Sequence, residues 1–273
     1  MDKESFFIAN FSNRFIGDDG AVVKDFVYSN DLFCEDIHFK REWMSLKEIA
    51  YKAMIVNISD AIVMNAKPKY ALIGIKIPKN FTTFELKELS SGFLKCAKEF
   101  KIKIIGGDTV AGDKLDISIT LISKSKNPVF RKGLKVGDLL AYTGSLGTVI
   151  KDLKKLQRGL KIYKNSKFIK PILRDNFFYK ASPLINSALD ISDGLYKDLS
   201  RLSKLNHVGF DFFQKIPKSV ALSGEEYEIL FSFTKKNLAK IKYISRVTKT
   251  PITIFAKAKR GIFRPILKEH HFE

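Results

Sequence analysis

Six short clusters set an aspartate or glutamate among glycine, serine or asparagine, beside an apolar run. They are Gly17-Asp18-Asp19-Gly20, Ser29-Asn30-Asp31, Asn57-Ile58-Ser59-Asp60, Gly106-Gly107-Asp108-Thr109, Asp190-Ile191-Ser192-Asp193-Gly194 and Ser223-Gly224-Glu225-Glu226. Aspartate offers the hard oxygen ligands that Mg²⁺ takes and shares with substrate phosphates. Glycine lets backbone approach a ligand and leaves N–H groups available to anions. A single cluster of this kind reads equally well as an Asx-turn; the repetition across both halves is the signal. Asp60 strengthens it, being the only charged residue from Ala53 to Ala66. On a 3.6-residue repeat it aligns with Ile49, Ala53, Val56 and Val63. A carboxylate on such a stripe needs a hydrogen-bonded partner, a proton or a metal; a polar bridge to neighbouring backbone is the purely structural alternative.

Other chemistries lack their patterns. No G-x-x-x-x-G-K-[ST] loop occurs, and the run Gly107 to Gly112 continues Asp113-Lys114, with the lysine one place late. G-x-G-x-x-G and the G-x-S-x-G elbow are absent. His38, His207, His270 and His271 form no H-E-x-x-H pattern, which argues against zinc. Cys34 and Cys96 have no metal-ligand spacing and read as small hydrophobes of a reducing cytoplasm.

The elements that must position these clusters are legible in outline. Ser45 with Glu48 forms a capping box opening a helix through about Met64, which carries Asp60. Thr82 with Glu85 opens another, where Leu86, Leu89, Phe93, Cys96 and Phe100 recur at helical spacing. Tyr70 to Ile77, Lys101 to Ile105 and the alternating Leu115 to Leu121 predict strands in the first half. Leu139 to Thr143, the alternation Tyr227, Ile229, Phe231, Phe233, and Pro251 to Ala256 predict strands in the second, with a helix after Gly194. Residues 124–137 lack an apolar period and read as a boundary, giving modules 1–126 and 127–273. The mixture is α/β or α+β.

Charge is lopsided: 48 Lys+Arg against 29 Asp+Glu give +19. Residues 1–123 hold 17 of each sign, so the whole surplus lies in 124–273. The densest stretch, Lys151 to Arg174, has a spacing that would form one charged face on a helix. That raises nucleic-acid binding, but no zinc-finger or RNP-type motif accompanies it, and a solvated face is the favoured reading. At 45% hydrophobic and 28% charged, the chain has a core to bury, which excludes wholesale disorder. No apolar run approaches a membrane span, and Met1-Asp2-Lys3-Glu4 does not begin a signal peptide. The expectation is a cytoplasmic protein without nucleic-acid or membrane partners.

Taken in order, the clusters resemble the thiamine-monophosphate kinase family of the aminoimidazole-ribonucleotide-synthetase-like (PurM-like) superfamily. The matching stretches are Ile16 to Val23, Asp31 followed by His38-Phe39, Ala50 to Asp60, Ala66-Lys67-Pro68, Ile105 to Thr109, Asp190 to Leu195 and Ser223 to Phe231. The pairing of Asp31 with His38 separates this family from its superfamily siblings. The resemblance implies direct, in-line transfer of the γ-phosphoryl group of ATP to thiamine monophosphate, with several Mg²⁺ ions and no covalent phospho-intermediate. It implies a PurM-like two-domain fold: an N-terminal α/β module that dimerises, a C-terminal α/β sandwich module, and a site between them.

Carried over by position, Asp19, Ser29, Asn30, Asp31, Asp60, Asp108, Asp190 and Asp193 resemble the metal-binding set, with Asp60 bridging ions. Gly107, Asp108, Arg131, Ser192 and Phe100 resemble the ATP contacts, and Asp60, Asp108 and Arg131 are the expected catalytic groups. His38 and Glu225 resemble the residues that hold the thiamine phosphate. Asn30 departs from the usual threonine and Glu226 from the usual aspartate. The family's terminal aromatic would fall in the tail Glu269-His270-His271-Phe272. The same superfamily admits other acceptors, as in selenophosphate synthetase or aminoimidazole ribonucleotide synthetase. The first usually carries a reactive Cys or Lys near its N-terminus, which Met1 to Phe15 does not convincingly offer.

Overall fold

The computed structural model describes residues 3–11 and 13–265; the tail stretch Glu269 to Phe272 lies outside them. Both capping boxes form. Ser45 and Thr82 each accept from the N–H three residues on, while Glu48 and Glu85 return the bond. They open α2 (Leu46–Val63) and α3 (Thr83–Phe100), which follow α1 (Lys3–Ala9), β1 (Ala21–Val23) and β2 (Phe26–Cys34). With β3 (Lys67–Pro78), β4 (Lys103–Gly112) and β5 (Asp116–Lys124), the strands make a sheet in the order β1-β2-β5-β3-β4. The alternation read over 115–121 is real: Ile117, Ile119 and Leu121 are buried and their neighbours half-exposed. Those three face α2, whereas the opposite sheet face is open.

The α2 helix is buried around nearly its whole circumference. Asp60 therefore sits not on one apolar stripe but in a helix enclosed by the sheet, α3 and the second half of the chain. The strand read at 101–105 continues through Gly106-Gly107-Asp108 to Gly112, so that cluster lies inside β4 rather than in a loop. It runs parallel to β3, at the sheet edge. Gly107 is obligatory there: at φ +151°, a Cβ would stand 1.8 Å from the Ile73 carbonyl oxygen.

The second sheet has the order β7-β9-β6-β10-β8, built from β6 (Leu139–Thr143), β7 (Ser187–Asp190), β8 (Val208–Phe212), β9 (Ile229–Phe233) and β10 (Ile252–Arg260). The helices α4 (Val149–Gln157), α5 (Asp175–Ala181), α6 (Leu195–Asn206), α7 (Lys218–Ala221) and α8 (Leu238–Val247) surround it. Every residue of β6, β7 and β9 is buried, because both faces are covered. Leu195, Leu199 and Leu202 of α6 pack with Leu140, Leu189 and Leu230. Phe177, Phe178, Phe231 and Phe233 join a core continuous with that of α2. Tyr227 falls before β9 and not within it.

The basic stretch departs from expectation. Helix α4 ends at Gln157, and no further helix forms until Asp175. Gly159 and Pro171 interrupt the run, so the lysines do not share one helical face. Lys167 and Arg174 turn inward as ion-pair partners instead.

Candidate active site

Three carboxylates from distant parts of the chain converge. Asp19 precedes β1, Asp60 lies in the last turns of α2, and Asp190 ends β7. Each offers an oxygen within 4.8 Å of the other two. Asp31, on the inward face of β2, hydrogen-bonds Asp60. Ser59 Oγ donates to Asp190 Oδ2 at 2.8 Å. Arg131 is the cation that grips this cluster. Its guanidinium donates to both Asp19 oxygens, at 2.5 and 3.2 Å, and its backbone N–H to Asp18 at 2.6 Å.

The electrostatics follow from crowding. Burial first, then the Asp19 charge, pushes the Asp31 carboxyl up to about 6, against the Asp60 hydrogen bond. Burial, reinforced by Asp31, Asp190 and Asp19, holds Asp60 well above the usual carboxylate range. Asp190 is raised in the same way, by burial and then Asp19. Like charges at about 4–5 Å repel by several kcal/mol even at an effective dielectric near 20. One guanidinium cannot neutralise this set. Ser29 Oγ, also on the inward face of β2, is buried without a partner, as are both polar atoms of the Asn57 side chain. Hard oxygens, surplus negative charge and an orphaned hydroxyl together fit a divalent cation.

Beside the cluster, a cavity of about 510 Å³ opens between the two halves. Its lining mixes polar groups, His38, Ser192, Asp193 and Glu225, with the apolar side chains of Trp43, Leu153, Leu156 and Phe168. His38 Nδ1 accepts from the Cys34 N–H at 3.0 Å, which makes Nε2–H the donor of the neutral ring. Asp193 is salt-bridged to Lys197 and Arg201 at 3.1 and 2.5 Å.

The loop bearing Glu225 is strained and over-determined. Glu225 and Tyr227 both take positive φ, +53° and +51°, a conformation that bulky side chains hold only when the surroundings impose it. The residues between and after them are the anchors. Glu226, fully buried, accepts from the Gly147 and Val149 N–H groups and Ser223 Oγ, and pairs with Lys167. Glu228 accepts from Arg174 twice, from Lys167 and from Thr143 Oγ1. The longer acid at 226 thus serves the scaffold, while Glu225 faces the cavity.

Not every expected residue is gathered. Asn30 points to the other face of β2, where its amide donates to Ser118 and Thr120 at 3.1 and 2.9 Å. Asp108 shares that outer face: the register runs Leu32, Ser118, Gly74, Asp108 across four strands. Three strand spacings, about 14 Å, separate β4 from β2. Within one chain, neither Asp108 nor Gly107 joins the carboxylate cluster. Phe100 packs partly buried against the core of the first half. Residues inside the motifs to which the sequence reading gave no role do belong here: Asp18, Ser59, Tyr227, and above all Lys52, fully buried with Nζ 2.6 Å from Glu225 Oε2. Lys52 had a readable signal, a charge just inside the same apolar helix that singled out Asp60.

Comparison with known proteins adds independent findings. A family described as AIR synthase related protein, N-terminal domain, matches residues 17–124. A thiamine-monophosphate kinase of Buchnera aphidicola subsp. Schizaphis graminum is 33% identical, over 90% of this chain and 86% of its own. The solved thiamine monophosphate kinase of Aquifex aeolicus has a TM-score of 0.83 at 21% identity, covering 95% of this chain and 92% of that one. A structure of AaThiL complexed with AMPPCP and TMP has a TM-score of 0.85 at 23% identity, covering 95% and 90%. At these identities the two structures establish the fold alone.

Proposed function

The chain belongs to the thiamine-monophosphate kinase family, and from that premise we propose that it transfers the γ-phosphoryl group of ATP to the phosphate of thiamine monophosphate. An acceptor phosphate oxygen forms the new P–O bond, the bond from γ-phosphorus to its bridging oxygen breaks, and ADP and thiamine diphosphate leave. The observation that carries this reading is the juxtaposition of Asp19, Asp60 and Asp190 with a cavity holding His38 and Glu225.

Phosphoryl transfer between two anions needs positioning and charge neutralisation more than covalent chemistry. Magnesium is the cation this donor set suits; Asp19, Asp60 and Asp190 would hold it, with Asp31 and Ser29 on the adjoining face of β2, and it would supply that neutralisation. Arg131 is fixed by Asp19 and Asp18 and offers its remaining donors to nucleotide phosphate. Ser192 borders the same cavity. His38 Nε2–H donates to the acceptor phosphate, and Glu225 accepts from the organic part of the substrate. Trp43 and Phe168 give that part an apolar wall.

The placement of Asp108, Gly107 and Asn30 is accounted for by a homodimer of the 1–126 modules. Their outer sheet face exposes Tyr28, Leu32, Tyr70 and Val110, an apolar surface of the kind that pairs with a copy of itself. Such pairing brings Asp108 and Gly107 of one copy toward Asn30 and the site of the other. The 127–273 module closes the site with Asp190, Asp193 and Glu225. Among the described residues no helix is long and apolar enough to cross a membrane, and Cys34 and Cys96 are free thiols, which suits a cytoplasmic enzyme.

A coupled assay of ADP release with ATP, Mg²⁺ and thiamine monophosphate tests the reading. Turnover dependent on all three supports it; folded protein with no turnover overturns it.

A further inference from the structure

Among the described residues, Lys52 is the lysine with no exposed surface at all. It lies in α2, two turns before Asp60, where a solvated side chain would be the ordinary expectation for lysine. Its ammonium sits 2.6 Å from Glu225 Oε2 and lies over the rings of Phe168 and Phe33, at 4.3 and 5.5 Å from their centroids. A buried ammonium is tolerated only when paired. The carboxylate and two ring faces supply that pairing, and the rings fix the direction of the Nζ atom. The bond joins residues 173 positions apart, tying the first half of the chain to the second. Glu225 and Phe168 line the cavity; Lys52 stands behind both.

We propose that Lys52 is a positioning residue for the acceptor substrate. It holds Glu225 by one oxygen and offsets its charge, so that the other oxygen accepts an N–H of the organic moiety without repelling the phosphate. The proposal rests on the phosphoryl-transfer reading above. Glu225 alone would place an uncompensated carboxylate in a cavity that must admit an anion. Paired with Lys52 it becomes a neutral, oriented acceptor. The positive φ of Glu225, with its N–H bonded to the Ser192 carbonyl at 2.7 Å, fixes the backbone, and Lys52 fixes the side chain.

The test compares wild type, Lys52→Met, Glu225→Gln and the double variant in steady-state kinetics with ATP and thiamine monophosphate. Lys52→Met raises KM for thiamine monophosphate by at least about tenfold, the loss expected of one charge-assisted bond, while KM for ATP stays within about twofold. The double variant is no worse than the worse single one, because both act through one contact. Lys52→Gln, which keeps an N–H donor and lacks the charge, serves if Lys52→Met does not fold. An unchanged acceptor KM in a folded Lys52 variant overturns the assignment, as does an equal rise in both KM values. Inactive wild-type protein overturns the phosphoryl-transfer reading instead, so the two failures are distinguishable.

Discussion

Replacing Asp31 by asparagine should stabilise the metal-free protein while destroying its activity. Asp31 is hydrogen-bonded to Asp60, and burial with the Asp19 charge lifts its pKa from 3.8 to about 6. That rise corresponds to about 3 kcal/mol of destabilisation once the group is ionised in the folded state. The sign is fixed by proton binding. The unfolded chain releases this proton near the ordinary 3.8, the folded one near 6. Between those values the folded state holds more protons, so stability falls as pH rises through the window. The penalty is complete at pH 7 and absent below about 3.8. Asp31→Asn removes it, and at ~2–4 °C per kcal/mol the variant should melt about 6–12 °C above wild type in EDTA at pH 7. The gap should shrink as pH is lowered toward 4. Added Mg²⁺ should also narrow it, because a cation bound only by the folded wild type stabilises that state by mass action. Calorimetric or fluorescence melts over pH and Mg²⁺ make the measurement. A variant that melts below wild type at pH 7 in EDTA, or a gap independent of pH, refutes the reasoning.

Asp60→Asn should lose about 10³-fold or more of kcat while melting no lower than wild type in EDTA, since its carboxylate would serve to hold the cation that neutralises the transferred phosphoryl group; retained turnover would make Asp60 a purely structural group. Glu228→Gln should lower unfolding stability by about 3 kcal/mol, because Lys167 and Arg174 keep their buried charge; a melt matching wild type contradicts this. Burial favours the neutral form of Glu228, yet Arg174 and Lys167 outweigh it and hold its pKa low. Its stabilising contribution is therefore lost as pH falls through the folded value. Co-refolding Asp60→Asn with Asp108→Asn should restore about a quarter of wild-type activity if each site draws on two copies. Activity no higher than in either variant alone argues for Asp108 acting in its own chain.

The sequence exposes Asp60 because a charge inside an apolar helix is anomalous wherever the helix is placed. It exposes both capping boxes because those bonds are local. Lys52 escapes notice because lysine ordinarily reads as solvated, and only the fold brings Glu225 and Phe168 around its ammonium. Asn30 and Asp108 look like members of one set in the sequence, yet strand alternation turns them away from Asp31. That outcome depends on sheet register, a long-range property. The strand read from Lys101 stops at Ile105 because glycine weakens strand propensity; the pairing with β3 carries it on to Gly112. Lys151 to Arg174 reads as a helical face until Gly159 and the inward ion pairs of Lys167 and Arg174 break the period. The ordered motifs and their family resemblance carry much of the site; spacing alone locates acids without saying which ones meet.

At the centre stands a cavity between the two halves of the chain, beside a carboxylate cluster that fits a divalent cation. The most direct measurement compares thiamine monophosphate with free thiamine as acceptors, with ATP and Mg²⁺, and identifies the product. Thiamine diphosphate should form from the monophosphate, and free thiamine should remain unphosphorylated. Equal use of both acceptors, or ATP hydrolysis that neither acceptor alters, would contradict this mechanism.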